Sequence, residues 1–145
     1  MTDALKLRAE DEEDLAVISA VLQDALVAVS DMAYLPDERR FVLVANRFRW
    51  EPPIGGPRRD FERRLSGFRV DEVTAVRRRG FHLREGDRLL VLLAIRAGSG
   101  ALLLDFAGDA SIRLEVGRIL CHLDDLGEPW RTRWRPRHPV EDDVK

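Results

Sequence analysis

The stretch 31–51, DMAYLPDERRFVLVANRFRWE, limits the possible folds of this chain more than any other segment. Pro36 presets the backbone angle φ for a turn, and Asp37 can hydrogen-bond to its own backbone, so a turn is predicted at residues 35–40. The run after the turn is apolar on both faces of a strand, with one face formed by Phe41, Leu43 and Ala45 and the other by Val42, Val44, Phe48 and Trp50. Because successive side chains of a strand point to opposite sides, such a run needs cover on both sides. The stretch therefore predicts a β-hairpin whose second strand lies centrally in a sheet.

A single long helix is predicted before the hairpin. Asp11 can cap its N-terminus, and Glu12 and Glu13 place negative charge where the helix dipole favours it. An apolar stripe follows at helical spacing, formed by Leu15, Ile18, Leu22 and Ala25. We expect this helix to extend over residues 11–24 and to pack on one face of the sheet.

The remainder of the chain alternates between short apolar runs and turns. Alternating or fully apolar runs predict strands near residues 68–81, 89–95, 102–106 and 112–116, and the Pro- and Gly-rich segment 51–61 predicts an exposed loop. After Gly117, the spacing of Ile119, Leu123 and Leu126 favours a short helix that stops at Gly127. An extended strand is also compatible with this last segment.

These elements together predict an α+β fold. We expect an antiparallel meander of about six or seven strands, because tight turns join successive strands and parallel neighbours need long crossovers. The sheet could curl into a roll, with the long N-terminal helix packed on it and a short C-terminal helix after it. Residues 1–129 are expected to form a single domain, and residues 130–145 a basic and aromatic, then acidic, C-terminal tail.

Composition argues against several classes of protein. The net charge of −2 gives no general attraction to nucleic acid or to membrane surfaces, and no apolar run approaches the ~20 residues that span a bilayer. The N-terminal sequence lacks a basic-then-apolar leader and Cys121 is the only cysteine, so a cytoplasmic location is expected. Almost all positive charge is on arginine, which either a GC-rich genome or anion recognition would explain.

The sequence contains no known catalytic or metal-binding motif. Its three histidines are far apart and have no HExxH or CxxC partner. The segment 121–125 collects ligand-type residues, but adjacent side chains on a helix or a strand point in different directions. No G-x-S-x-G nucleophile elbow is present. The sequence therefore predicts no catalytic residue, no metal site and no cofactor.

Binding is the function class that the sequence favours. Trp and Arg dominate interface hot spots, and both residue types concentrate in the tail and where the central strand should leave the core. The candidate partner-binding residues are Arg47, Arg49, Trp50, Trp130 and Trp134. We expect a protein–protein interaction or self-association module. The alternatives are binding of RNA or another single-stranded nucleic acid through the same Arg and Trp surface, and an enzyme whose site is not visible in the sequence.

Two segments also resemble a known family. Residues 5–26 read LxLxAxDEEDLxVISAxLQDAL, and residues 34–51 read YLPxxRRFxLVANRFRWE. With similar features at residues 106–108, 112–116 and 125–127, nearly the whole chain resembles a family of short alphaproteobacterial proteins described only as a domain of unknown function. The resemblance implies a compact cytoplasmic unit, and it supplies no activity, cofactor or catalytic residue.

Overall fold

The structure of the protein is a computed structural model that describes residues 4–48 and 61–132, with all side chains in these ranges except those of 61, 62 and 128–132. The described residues form ten strands and one α-helix. In chain order these are β1 (Lys6–Ala9), α1 (Glu12–Val21), β2 (Leu26–Ala28), β3 (Met32–Leu35), β4 (Arg40–Phe48), β5 (Phe61–Val70), β6 (Val73–Arg79), β7 (Leu89–Gly98), β8 (Ala101–Phe106), β9 (Ala110–Val116) and β10 (Cys121–Thr132).

The predicted hairpin is confirmed as β3 and β4, joined by the 3₁₀ turn Pro36–Glu38. Arg39 ends the turn with a positive φ of 51°, and Tyr34 then pairs with Phe41. β4 is central, as predicted, because β5 pairs with one of its edges and β3 and β2 share the other. The residues at alternate positions along it, Phe41, Leu43 and Ala45, are buried in the core.

All strand pairings in the described ranges are antiparallel, as predicted. The order across the sheet is β1-β10-β5-β4-β2-β7-β8-β9-β6. β3 is outside this order and pairs with β4 on the same edge as β2. The predicted meander of about six or seven strands is wrong, because the described residues form ten strands and neighbours along the chain are not always neighbours in the sheet. β5 and β6 follow each other in sequence but lie far apart in this order.

The sheet bends at a corner where β5 continues into β6 while its neighbour β10 is reached from β9, so that β5 pairs with β10 before the corner and β6 pairs with β9 after it. At the corner, Asp71 N donates to Leu120 O at 2.9 Å and Gly117 N donates to Glu72 O at 3.1 Å, so the pairing continues through the bend. The curl brings the free edge of β6 toward the free edge of β3. Val73 at the start of β6 is bonded to the turn of the β3–β4 hairpin, where its N donates to Arg39 O at 2.8 Å.

The core fills the inside of this roll. Its largest fully buried side chains are Phe68, Leu15, Ile18, Leu22, Leu43, Leu90, Leu92, Leu102, Leu104, Ile112, Leu114 and Leu123. α1 packs against β7 and β1, and Ser19 Oγ accepts a hydrogen bond from Ile95 N at 2.9 Å. Burial of apolar surface from nearly every strand supplies the main stabilisation of such a roll.

The predicted α+β class is wrong, because the described residues are mostly antiparallel sheet with one helix and the fold is closer to all-β. Asp11 caps α1 as predicted, accepting a hydrogen bond from Asp14 N at 2.8 Å. The helix nevertheless has ten residues and ends at Val21, so it is not the long helix that was expected. The chain leaves it through Asp24, whose φ is 67°, and enters a strand in the β-branched run that follows.

The predicted short C-terminal helix is also wrong, since this segment forms β10. Cys121, Leu123 and Asp125 all point to the inner side, which is the period of a strand. Because the third inner position is the acid Asp125, the apolar alternation of the strand is interrupted there. The apolar residues Leu123 and Leu126 then have the three-residue spacing of a helix. Gly127, with a φ of 66°, lies at an irregularity within the strand instead of ending a helix.

β10 also bears on the predicted boundary between domain and tail. Residues 130–132 lie in this strand and pair with residues 61–63 of β5. Residues 133–145 lie outside the described part of the chain. The division into a domain 1–129 and a tail 130–145 stays a prediction, but a cut at 129 would remove residues that are paired in the sheet.

Candidate functional site

Among the described residues, a mostly apolar cleft of about 230 Å³ lies between the free edges of β3 and β6. Its lining is mostly apolar and consists of Met32, Ala33, Tyr34, Phe41, Val76, Arg78, Phe81, Leu83 and Ile112. We call this site the β3–β6 cleft. It exists because the roll does not close between these two edges, which leaves a gap that opens onto the core.

The end of the cleft near Val73 is closed by two hydrogen bonds. Tyr34 Oη donates to Val73 O at 3.0 Å, and Val73 N donates to Arg39 O at 2.8 Å. From that point the pairing order shows no strand neighbour for β6 on the side away from β9 within the described ranges. Val73 is therefore held to the β3–β4 hairpin through the Tyr34 side chain and the turn carbonyl of Arg39, and the cleft lies beyond this point.

Gly80 positions the other end. Its φ is 86°, and a Cβ there would lie 2.5 Å from the carbonyl oxygen of Asp109 in the turn between β8 and β9. Only glycine combines this backbone conformation with so close an approach. After it, Phe81 turns back into the core, where it is 5% exposed, whereas Leu83 lies at the rim and is 58% exposed.

β6 ends in three consecutive arginines, Arg77, Arg78 and Arg79, which we call the β6 arginine strip. Arg78 lines the cleft, and the other two lie at the intervening positions on the outer side of the sheet. All three are exposed, and within the described residues none makes an ion pair or a side-chain hydrogen bond. Arg96 on β7 and Arg113 on β9 differ from them, since each binds a carboxylate, at 2.6 and 2.7 Å. Among the described residues, the strip is therefore a group of cations without compensating charge next to an apolar opening.

A second, polar depression of about 350 Å³ adjoins the cleft and shares Arg78 and Phe81 with it. Here Arg88 is already neutralised, because it binds Glu85 at 3.3 Å and donates to Gly80 O at 3.1 Å. A hydrogen bond from the backbone N–H of His82 lowers the pKa of Glu85, which keeps that carboxylate charged. Arg78 is the remaining cation at this junction that has no carboxylate partner.

Arg47, a predicted partner-binding residue, lies inside the protein. It is 2% exposed, and its guanidinium binds the Asp125 carboxylate twice, with Nε–Oδ1 at 3.0 Å and Nη2–Oδ2 at 2.8 Å. Arg47 is thus not on an exposed surface in this structure. Trp130 lies in β10 opposite Arg63, while Arg49, Trp50 and Trp134 lie outside the described residues. The partner-binding role of the set stays a prediction.

Asp125 is the centre of a group of buried charges on the inner side of the sheet. Besides Arg47, it accepts hydrogen bonds from Ser66 Oγ at 2.5 Å and Leu5 N at 2.8 Å, and Arg64 Nε lies 3.8 Å away. Burial by itself would raise the pKa of Asp125, but the hydrogen bonds from Arg47, Ser66 and Leu5 outweigh it and lower the pKa. This carboxylate ties together β1, β4, β5 and β10.

Arg63 lies on the other side of the same strands and is 5% exposed. Its Nε donates to Asn46 Oδ1 at 2.6 Å, and its guanidinium carbon lies 4.6 Å from the centre of the Phe48 ring. Burial lowers the pKa of Arg63 to about 10. Together, Arg47, Arg63 and Arg64 form what we call the buried arginine cluster.

Residues 121–125, which collect ligand-type side chains, do not converge. Cys121 faces the core, and burial raises the pKa of its thiol to about 12, so it is not an activated nucleophile. His122 points to the opposite side, where its Nδ1 lies 2.9 Å from Arg69 Nη2. Burial, followed by the charge of Arg69, lowers the pKa of His122. Among the described residues, no group of three or more His, Cys, Asp or Glu could hold a metal ion.

Comparison with known proteins identifies a family whose function is unknown. The family model "Protein of unknown function (DUF2948)" matches residues 5–138, so the chain belongs to this family. No curated protein and no solved structure matches the chain significantly. Within the described ranges, no helix is both long and apolar enough to cross a membrane.

The cleft was missed at the level of sequence, although one of its signals was visible. Three adjacent arginines at the end of a predicted strand indicate either solvated charge or an anion contact. Tyr34, Phe41 and Phe81 are far apart in the chain, and nothing in their spacing shows that β3 and β6 come together. The chain turns a corner at residues 71–72, between β5 and β6, before it reaches the cleft.

Proposed function

We propose that this protein is a non-enzymatic module that binds another protein, and that the β3–β6 cleft with its arginine strip is the binding site. The observation that carries the proposal is a combination seen within residues 4–48 and 61–132: an apolar opening, two free sheet edges and three exposed arginines without ion pairs. Exposed apolar openings bordered by polar residues are typical of interaction sites. Arginine is among the residues that dominate such interfaces.

The size of the cleft favours a protein over a small molecule. Pockets for small ligands usually have volumes of ~300–1,000 Å³. The β3–β6 cleft, at about 230 Å³, lies below that range and suits a few side chains of a partner. Its lining also offers no nucleophile or paired carboxylates that would support a reaction.

Binding of single-stranded RNA is the second candidate, because the arginine strip could contact phosphates. RNA readers also need aromatic rings on which bases can stack. Two of the three aromatic residues of the cleft, Phe41 and Phe81, are 3% and 5% exposed, and the hydroxyl of Tyr34 is engaged with Val73 O. The cleft therefore suits a protein partner better. A fluorescent single-stranded RNA that shows a salt-dependent anisotropy change with micromolar protein would instead support the RNA alternative.

The direct test is photo-crosslinking from the rim of the cleft. A photoreactive amino acid replaces Leu83, which is 58% exposed and lines the cleft, in the full chain expressed in living cells. The matched control places the same amino acid at Val17, which is 53% exposed on α1. We expect a discrete protein adduct from position 83 that withstands nuclease treatment and is missing from position 17. Equal adducts from both positions, or an adduct lost on nuclease treatment, would contradict the proposal.

Self-association through the tail, with a cytoplasmic location, belongs to the same proposal. The free and buried state of Cys121 supports a reducing compartment. Truncation at 129 is a poor test, because residues 130–132 pair with β5. Trp134→Ala is better, since it leaves β10 intact. We expect it to weaken any dimer seen by analytical ultracentrifugation, and an unchanged dimer would remove Trp134 from the interface.

A further inference from the structure

We propose that the partner contributes an extended acidic segment that adds as a strand to the free edge of β6, with acidic residues at every second position and apolar residues between them. This inference rests on the proposed function and specifies the kind of partner. Addition of a strand to an exposed sheet edge is a recurrent mode of peptide recognition. Backbone hydrogen bonds supply affinity in this mode, and alternate side chains supply specificity.

The first step of the argument is that β6 has a free edge. In the part of the chain that the structure describes, the sheet order ends at β6, which pairs with β9 on one side only. On its other side, within the described ranges, hydrogen bonds are made only at Val73, with Arg39 O and Tyr34 Oη. The backbone of residues 74–79 beyond this point can therefore pair with an added strand.

The second step is the alternation of side chains along that edge. Val76 and Arg78 line the cleft, and their partners on β9, Leu114 and Ile112, are buried in the core. Arg77 and Arg79, at the intervening positions, are on the outer side of the sheet. An added strand would have the same period of two, so its side chains would alternate between the cleft and the two outer arginines.

The third step is the chemistry that each side of the added strand would meet. Beside Arg77 and Arg79, opposite charge is favourable directly across a strand pair and like charge is unfavourable. On the cleft side, the added side chains would meet Met32, Ala33 and Phe81, which favour apolar residues. Arg78 at the mouth of the cleft adds a further positive charge. The site thus selects alternating acidic and apolar residues.

A protective role is the main competing explanation of the strip. Charged side chains on edge strands prevent unwanted edge-to-edge pairing, and arginines on β6 could serve only that purpose. That explanation accounts for the charge but not for the open apolar cleft beside it. It also makes a different prediction, because a purely protective edge would bind no added strand.

The test uses a fluorescent, end-capped peptide of seven residues, the length of β6, that alternates glutamate with isoleucine. Two control peptides alternate glutamate with serine, or carry N-methyl groups on the backbone nitrogens of every second residue. The protein variant is Arg77→Glu/Arg79→Glu. The control variant is Arg8→Glu, which changes an exposed arginine on β1, the strand at the other end of the sheet.

We expect the first peptide to bind with a salt-dependent anisotropy change and to slow amide hydrogen exchange in residues 74–79. The double charge reversal should weaken binding about tenfold or more, whereas Arg8→Glu should leave it unchanged. Serine in place of isoleucine, and N-methylation of one edge, should each weaken it by a similar factor.

Three results would overturn the inference. They are no binding of the glutamate–isoleucine peptide, equal binding of the N-methylated peptide, or preferential binding of single-stranded RNA through the same arginines. Either of the first two together with a protein adduct from position 83 would leave the proposed function standing and reject strand addition alone, whereas preferential RNA binding would support the RNA alternative. Absence of the adduct together with peptide binding would reject a cellular protein partner at the cleft but retain the edge as a peptide-binding surface.

Discussion

The buried arginine cluster and the β6 arginine strip are groups of the same residue in opposite situations. In the cluster, Arg47 and Arg64 are each 2% exposed, and the Asp125 carboxylate lies within reach of both. In the strip, the three arginines are exposed and have no carboxylate partner in the described part of the chain. The first group joins neighbouring strands of the fold, and the second is the group that we propose binds a partner.

The two arginine groups differ because different residues lie opposite them on the neighbouring strands. Ser66 pairs with Asp125 in the register of β5 and β10 and with Ala45 on β4, which brings the carboxylate next to Arg47. Arg77, by contrast, lies opposite Arg113, whose charge is already bound to Glu115. Arginine alone therefore says little about function. Its role follows from whether the sheet register supplies an acid.

The largest expected effect tests the structural half of this comparison. Arg47→Leu would leave the Asp125 carboxylate buried without its bidentate partner. Breaking a buried ion pair from one side typically costs ~3–5 kcal/mol, so we expect a loss of that order in the free energy of unfolding measured by urea denaturation. A loss in unfolding free energy of less than about 1 kcal/mol, the usual contribution of a surface ion pair, would show that the Arg47–Asp125 pair contributes little to the stability of the fold.

The double variant Arg47→Leu/Asp125→Leu is the matched control. It removes the uncompensated charge that the single variant creates, and well-packed apolar replacements of buried ion pairs are often close to neutral. We expect it to be more stable than Arg47→Leu alone, although Arg64 and Ser66 lose a partner. If the losses of Arg47→Leu and of Asp125→Leu, each measured alone, add up to the loss of the double variant, the two residues do not interact energetically.

Gly80→Ala is expected to have the next largest effect, and it acts at the end of the exposed strip. The new Cβ would lie 2.5 Å from Asp109 O in a backbone conformation that alanine disfavours. Strained φ values cost on the order of 1–3 kcal/mol, so we expect a loss of that size in unfolding free energy. Gly100→Ala is the control, because its φ is also positive but no atom lies within 4 Å of the added Cβ. Equal losses would mean that the close approach at Gly80 has no effect.

Much of the sheet could be predicted from the sequence because its signals are local. The alternating and apolar runs that became β4, β7, β8 and β9 carry their own period, and Pro36 marks the hairpin turn. The C-terminal strand was mistaken for a helix because Asp125 occupies an inner position. A buried acid is understandable only when Arg47, 78 residues away in sequence, is known to bind it.

The site was harder to predict for the same reason. Arg47 looked like a residue at an emerging strand end, but its partner on β10 draws it inward. The β6 arginine strip looked like ordinary solvated charge, because the cleft beside it forms only when β3 and β6 approach. Local pattern thus predicts strands and their faces. It does not predict which charge on one strand meets which charge on another.

The pH dependence of stability should reveal the Asp125 carboxylate that binds the buried arginine cluster, because the β6 arginine strip has no carboxylate partner among the described residues. The pKa of Asp125 lies below its ordinary value of 3.8, so the unfolded chain takes up the proton more readily than the folded one. The stability contributed by Asp125 is then complete above about pH 5 and is lost as the pH falls through its folded pKa. In Asp125→Asn we expect a smaller decrease in unfolding free energy between pH 5 and pH 3 than in the unchanged protein. Equal slopes would contradict the assignment.

The smallest expected effect concerns the strip. Arg77→Ala and Arg79→Ala remove exposed side chains that bind no carboxylate, and surface substitutions of this kind usually change stability by less than about 0.5 kcal/mol. We therefore expect urea midpoints close to that of the unchanged protein, while Arg47→Leu lowers the midpoint clearly. A large loss in either alanine variant would mean that the strip also stabilises the fold. The β6 arginine strip would then resemble the buried arginine cluster in stabilising the fold, and its charge would not be available to a partner.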